Sequence, residues 1–326
     1  MDDDKTRVSP SSVGHPIRGY GFIAAAALFW AFSAVLGRAV FTGRLLPGQA
    51  PGGIDPLILS QTRATFSFFL LLPVFLAAER SRQRLPAADI GRSFLIGILG
   101  VAASNYFYYL AIQRTNVATA IILQYTAPVW VLLYAIARRM EKPDIKRVFV
   151  VSVAVVGTSM TVGLFGPGIV KLDEIGLGAG LLSAFSFAFY NIYGHDILSR
   201  RDRWTVLLYT TLGASLFWIV VNPPWRIAAA QLSGSQWLFL LVFALVSVVL
   251  PFSFYFAGLQ SLRPTRAIIA SCLEPAFSVA LAALVLGEMM RPLQTAGIVL
   301  VLVAIVAVQA VDRKDHARRT PIEPME

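Results

Sequence analysis

Ten runs of apolar residues, each closed off by a short charged connection, constrain this chain more than any other feature. They fall at approximately 20–40, 57–78, 92–112, 117–137, 147–165, 175–196, 204–221, 237–259, 265–286 and 292–311. A helix that crosses the hydrocarbon of a bilayer needs roughly 20 such residues. In lipid no water is available to satisfy the backbone, so a run of this length that crosses must do so as a helix or as part of a closed barrel. These runs are too long and too uniformly apolar for alternating barrel strands. The expected fold class is an all-α integral membrane protein of ten transmembrane helices. The short connections leave no room for a soluble domain. Only 14% of residues are charged, against roughly 25% in a soluble domain.

The charges that remain are distributed by topology. With the N-terminus placed inside, the inner segments carry 21 Lys and Arg and the outer loops 5. Arg38 and Arg63 fall within spans. Cytoplasmic loops of membrane proteins carry such an excess, so both termini are expected in the cytoplasm, in a bacterial-type inner membrane. The net charge of +10 is then an orientation signal, and no nucleic-acid partner is expected. The first 19 residues are polar and include Asp2, Asp3 and Asp4. The run that follows reads as a first helix and signal anchor, with no small-residue cleavage site after it.

The chain also repeats itself. Displaced by 147 residues, NYFYYLAIQRTNVATAIILQYTAP aligns with FSFYFAGLQSLRPTRAIIASCLEP without a gap. Phe107 meets Phe254, Tyr108 meets Tyr255, Gln113 meets Gln260, Pro128 meets Pro275, and further on Glu141 meets Glu288. A weaker match at another offset pairs ALFWAFSAVLGR with AFSFAFYNIYGH. Gln, Pro and Glu are uncommon in apolar helices, so these pairs carry the signal. Each repeat holds five helices, an odd number, and the halves therefore insert with opposite orientation. Inverted repeats of this kind build many secondary transporters, with the solute site near the midplane between the halves. The expected organisation is a cytoplasmic tail at 1–19, a first repeat at 20–165, an outer linker at 166–174, a second repeat at 175–311 and a cytoplasmic tail at 312–326.

The segments AIILQYTAPVWVLLYAIARRMEKP and AIIASCLEPAFSVALAALVLGEMMRP resemble the fourth-helix signature of the EamA family of the drug/metabolite transporter superfamily. FWAFSAVLGR in the first run and Arg63 in the second also resemble family features. The resemblance covers nearly all of residues 20–311. It implies a ten-helix carrier of small metabolites with a central cavity, and says little about which solute. The first repeat departs by reading RRMEKP where the second reads LGEMMRP, which the more basic cytoplasmic side explains.

Glu274 is the sharpest candidate for mechanism. It is the one acidic residue deep within an apolar run. A carboxylate there is costly unless it is protonated, paired or facing water, and a group that exchanges a proton is what a proton-coupled carrier requires. Pro275 follows it. Proline lacks an N–H and crowds the preceding turn, which exposes carbonyls to other partners. Ser271 lies one turn earlier. The partner stretch in the first repeat is Gln124, Tyr125, Thr126 and Pro128. It is a candidate opposite wall, and interhelical hydrogen bonding is the ordinary alternative. Trp30, Asn105, Tyr108, Asn191 and Tyr255 sit too deep for headgroup anchors, and either line a cavity or pack helices. So does Trp130, whereas Trp204, Trp225 and Trp237 fit an interfacial belt. Arg38 can snorkel. Arg63 lies nearer the interior and is a candidate for binding an anionic group or pairing with a carboxyl.

No catalytic constellation is present. There is no HExxH, GxSxG, phosphate loop or paired carboxylates on one helix, and GLGAG at 176–180 reads as close helix packing. Cys272, the one cysteine, and three scattered histidines form no recognisable metal site, so neither metal nor cofactor is expected. The expected function is a secondary transporter that moves an amino-acid-like, amine or drug-like solute by alternating access, proton-coupled or by exchange, and acts as a monomer in the lipid bilayer. A lipid-linked or sugar-phosphate flippase of the same fold is the alternative carrier. A membrane receptor or scaffold is the alternative of another class, and leaves the repeat and the buried Glu unexplained.

Overall fold

The computed structural model describes residues 16–41, 54–77, 85–115, 117–140, 143–162, 173–286 and 291–317. The terminal tails, most of the linker and the loop positions Glu141 and Glu288 lie outside these residues. Among the described residues all regular structure is helical. Ten helical segments appear where the ten apolar runs lie, and they are labelled α1 to α10 here. α1 is Pro16–Phe41 and α2 is Pro56–Ala77. α3 runs through Ala87–Leu95, Ile96–Ala102 and Ala103–Arg114. α4 is Val117–Gln124 with Ala127–Ala137, and α5 is Ile145–Val162. α6 is Glu174–Leu198 and α7 is Arg203–Val221. α8 runs through Gly234–Ala244, Leu245–Val249 and Leu250–Leu259. α9 is Pro264–Ser271 with Leu273–Leu286, and α10 is Pro292–Ala317. A single short helix, Pro224–Ala229, joins α7 to α8.

Eight helices are each long and apolar enough to cross a membrane. The other two apolar segments are α9, divided at Cys272, and α10, whose apolar part is Pro292–Val308. The outer surface is apolar as well. Phe69, Phe149, Val220 and Leu284 are all more than half exposed, which suits lipid and not water.

The packing follows the repeat. α3 lies on α6 as α8 lies on α1, α4 on α6 as α9 on α1, and α3 on α7 as α8 on α2. The pairs α2–α7 and α5–α10 map onto themselves. Every one of these contacts joins the first five helices to the last five, so the halves interlock and do not stand side by side. Small residues permit the closest crossings. A Cβ added at Gly97 of α3 would collide with the carbonyl oxygen of Thr210 on α7. One added at Gly297 of α10 would collide with the backbone nitrogen of Thr161 on α5.

Four of the helices are irregular, again in matched pairs. α3 contains a π turn at Ile96–Ala102, and α8 one at Leu245–Val249. α4 breaks after Gln124 and α9 at Cys272. A displacement of 147 residues carries each irregularity onto its partner. The uninterrupted runs expected at 117–137 and 265–286 are therefore each two helices end to end. Pro128 and Pro275 cause this, since neither can donate to the carbonyl four residues back. Polar side chains finish the helix ends. Asp202 accepts from the N–H groups of Trp204 and Thr205 to cap α7. Ser233 and Gln236 form a capping box for α8.

Candidate functional site

The two helix breaks meet. Tyr125 stands at the break of α4 and is almost fully buried. Its hydroxyl donates to Glu274 Oε2 at 2.6 Å and lies 3.2 Å from the carbonyl oxygen of Ser271. The second contact has a specific origin. Ser271 is four residues before Pro275, so its carbonyl has no helical partner. The first repeat supplies the donor that the second repeat lacks. Glu274 is half-buried, and the structure gives its carboxyl no guanidinium partner among the described residues. The pairing expected between Gln124–Pro128 and Cys272–Pro275 thus takes a definite form, a phenol–carboxyl contact across the repeat.

The same device occurs at the π turn of α8. Pro251 leaves the carbonyl of Ser247, four residues back, without its helical donor. Arg63 of α2 takes it, with Nη2 at 3.1 Å. The other end nitrogen of Arg63 donates to the hydroxyl of Tyr109 on α3. Its guanidinium lies over the rings of Phe243 and Tyr109, 5.3 and 5.7 Å from their centroids. Arg63 is 6% exposed. Arg63 and Glu274 are near enough to act on one another electrostatically, and Tyr108 is near enough to act on both. One small cavity is found beside the arginine. It is bounded by Ser60, Arg63 and Ala64 of α2, Val101, Ala102 and Asn105 of α3, Thr211, Ala214 and Trp218 of α7, and Val248 of α8. It has room for about one water.

The remaining candidates fall into two groups. Gln124 donates to Ser183 Oγ at 2.9 Å and to Ser104 Oγ at 3.3 Å. Ser183 in turn donates to the carbonyl of Ser104. Gln124 therefore clasps α4 to α3 and α6 in this conformation. Thr126 donates to the carbonyl of Leu123 and accepts from the indole of Trp130. Ser271 donates to the carbonyl of Ile268. These contacts hold the breaks in shape. Pro128 and Pro275 are buried at them.

The second group is aromatic. Trp30 packs on Phe252 and Tyr255, with ring centroids 5.5 and 5.2 Å away. Tyr255 is fully buried and donates to Asn191 Oδ1 at 2.8 Å. Tyr190 stacks on Tyr255 at 5.4 Å. This is a packed layer between α1, α6 and α8. Asn105 borders the cavity, and its amide donates to the carbonyl of Val101 inside the π turn of α3. Trp225 is 71% exposed, as an interfacial anchor would be, while Trp204 lies under the Arg203 guanidinium. Phe32 and Tyr193 are exposed on the outer surface. The side chain of Arg38 lies outside the described ones.

Sequence reasoning missed three partners. Tyr109 was one tyrosine among several. Ser104 and Ser183 are small polar residues of a kind that recurs in such helices. Pro251 carried the usable signal, since a proline inside an apolar run frees a carbonyl one turn back.

Known proteins are similar along most of the chain. The model of the EamA-like transporter family matches residues 17–163 and again 174–309. An uncharacterized inner membrane transporter of Salmonella typhimurium, YicL, is 24% identical over 94% of this chain and 99% of its own length. The threonine/homoserine exporter RhtA of Escherichia coli is 26% identical over 82% of this chain and 84% of its own. A solved crystal structure superposes with a TM-score of 0.72 at 16% identity, over 91% of this chain and 98% of that one. That likeness concerns the fold.

Proposed function

We propose that this chain, which belongs to the EamA-like transporter family, is a secondary carrier that moves a small solute across the cytoplasmic membrane by alternating access, coupled to protons or to exchange. The observation that carries the reading is the 2.6 Å contact from Tyr125 to Glu274. It joins the matched breaks of the two repeats at the place where an inverted-repeat carrier holds its solute.

The mechanism follows from what the contact is made of. With Glu274 ionised, the phenol donates a charge-assisted bond. Protonation replaces that bond by a neutral one, about half as strong. A proton arriving at Glu274 thereby loosens the tie between α4 and α9. The broken helices can then separate without breaking a regular backbone ladder, because the prolines have already interrupted it. The gradient is converted into motion at a single bond.

The solute class in this reading is amino-acid-like, amine or drug-like. The relation to RhtA, a threonine/homoserine exporter, supports it. The units that move are the two repeats, 20–165 and 175–311, in a monomer. Loop charge supports cytoplasmic termini, and the inner membrane position of the YicL relative supports the compartment.

The test is uptake by purified protein in liposomes. Threonine, aliphatic amines and a panel of small metabolites are offered with and without an imposed pH gradient. Accumulation that a protonophore collapses is expected for at least one of them. Accumulation indifferent to the protonophore and to solute on the far side contradicts both couplings, and the absence of all flux contradicts the carrier.

A further inference from the structure

The buried Arg63 is the group whose chemistry the carrier reading leaves unused. A guanidinium cannot shed its charge in a protein, and one at membrane depth is costly unless it is compensated. Its two observed acceptors, the hydroxyl of Tyr109 and the carbonyl of Ser247, are both neutral. Among the described residues it forms no ion pair with a carboxylate. Glu274 acts on it only at a distance, and its carboxylate accepts instead from the Tyr125 hydroxyl. Two buried donors next to this charge have no partner, Nε of Arg63 itself and the hydroxyl of Ser60. Both residues border the small cavity between α2, α3, α7 and α8. Rings of Tyr109 and Phe243 flank the guanidinium and hold it in place.

From this we propose that Arg63 is the receptor for an anionic group on the solute, of the carboxylate class. The rest follows from matching. A planar guanidinium fork pairs with a carboxylate through two parallel bonds, and the Ser60 hydroxyl supplies a third donor. One cationic residue borders the cavity, so one unit of negative charge balances it. A phosphate dianion would leave charge over. The cavity accommodates about one water here, so the carboxylate enters when α2 and α3 part from α7 and α8. Those are the pairs that the repeat exchanges, so the site lies on the same axis of opening as the Tyr125–Glu274 contact. The positive site sits in one repeat and the proton site in the other, and the solute bridges them.

This proposal rests on the carrier reading for its biological meaning, and its test does not use transport. Purified protein in detergent is heated in the presence of matched pairs of probes. L-threonine, L-leucine and L-phenylalanine are compared with their carboxamides, which keep the amine and lose the anion. At several times the Kd, at least one acid is expected to raise the melting temperature by about 2–4 °C, and its amide to leave it within error. Arg63→Gln is expected to erase that difference. Because removing a buried charge can unfold the chain, Arg63→Lys and Ser60→Ala are measured beside it. The lysine keeps the charge without the fork, and should retain a shift about half as large or less. The serine variant should weaken the shift without erasing it. Equal shifts from acid and amide overturn the proposal. So does an acid shift that survives in Arg63→Gln, and so does a wild-type protein indifferent to all three acids. Each of these leaves the carrier reading standing, since that reading fails only if no flux occurs in liposomes.

Discussion

The first repeat breaks α4 after Gln124, and the second breaks α9 at Cys272, 147 residues on. The backbones agree and the side chains do not. Where α9 carries Glu274, α4 carries Ala127. Where α4 carries Tyr125, α9 carries Cys272. Arg63 of α2 has Thr210 of α7 as its counterpart. One half therefore holds the cation and the phenol, and the other holds the carboxyl and the two proline-freed carbonyls that receive them. In the proposed carrier, symmetry of the scaffold is what lets either side open. Asymmetry of the groups gives the guanidinium and the phenol of one half their acceptors in the other. Two identical halves would set carboxyl against carboxyl at the centre of a bilayer, where like charges are least tolerable.

The comparison can be broken most severely at the carboxyl. Glu274→Gln should reduce gradient-driven accumulation in liposomes to background, while membrane insertion and exchange of solute for solute persist. The double variant Glu274→Ala with Ala127→Glu moves the carboxyl to the symmetric position. It should also remain at background, because Cys272 offers no phenol there. Recovery of accumulation by the double variant would show that the location of the acid is immaterial.

Overpacking tests the scaffold in place of the chemistry. Gly97→Ala forces a Cβ onto the Thr210 carbonyl and should cost about 1–3 kcal/mol, seen as a fall in melting temperature. The position 147 residues on is Ala244, which is fully buried and already carries a Cβ, so the two crossings differ in closeness. Gly178→Ala, where a Cβ meets nothing within 4 Å, is the control and should change little.

Smaller effects sharpen the picture. Tyr125→Phe removes the phenol's charge-assisted bond to Glu274, worth about 1.5–3 kcal/mol, and its contact with the Ser271 carbonyl. Gradient-driven uptake should fall roughly tenfold or more on that account, with folding intact. Gln124→Ala releases the clasp on Ser104 and Ser183 at a cost of about 0.6–2 kcal/mol, read as a lower melting temperature. Because the clasp only packs α4 in this conformation, uptake should persist.

Much of this fold was legible in the sequence, because lipid allows few ways to satisfy a backbone. Runs such as 92–112 and 237–259 could cross only as helices, and the 147-residue displacement paired them. Glu274 was legible for the same reason, as a costly group in an apolar run. What sat opposite it was not. Tyr125 resembles any buried tyrosine in one dimension, and its hydroxyl finds Glu274 only once α4 and α9 cross. Gln124 illustrates the converse. Its place in the repeat suggested a solute wall or an interhelical hydrogen bond, and Ser104 and Ser183, which engage its amide here, come from helices that sequence alone does not bring together. The π turns in α3 and α8 were invisible because an extra residue in a helical turn leaves no mark on composition. Only Pro251 hinted at one.

The division of labour between the halves can be measured at its centre. Wild-type protein in weakly buffered detergent is mixed with a solute identified by uptake, and the protons exchanged with the medium are followed with a dye. If Glu274 is the proton site coupled to solute through Tyr125, solute addition should move protons in proportion to protein. Glu274→Gln should bind the solute and move none. A proton signal of equal size in the variant would contradict the account.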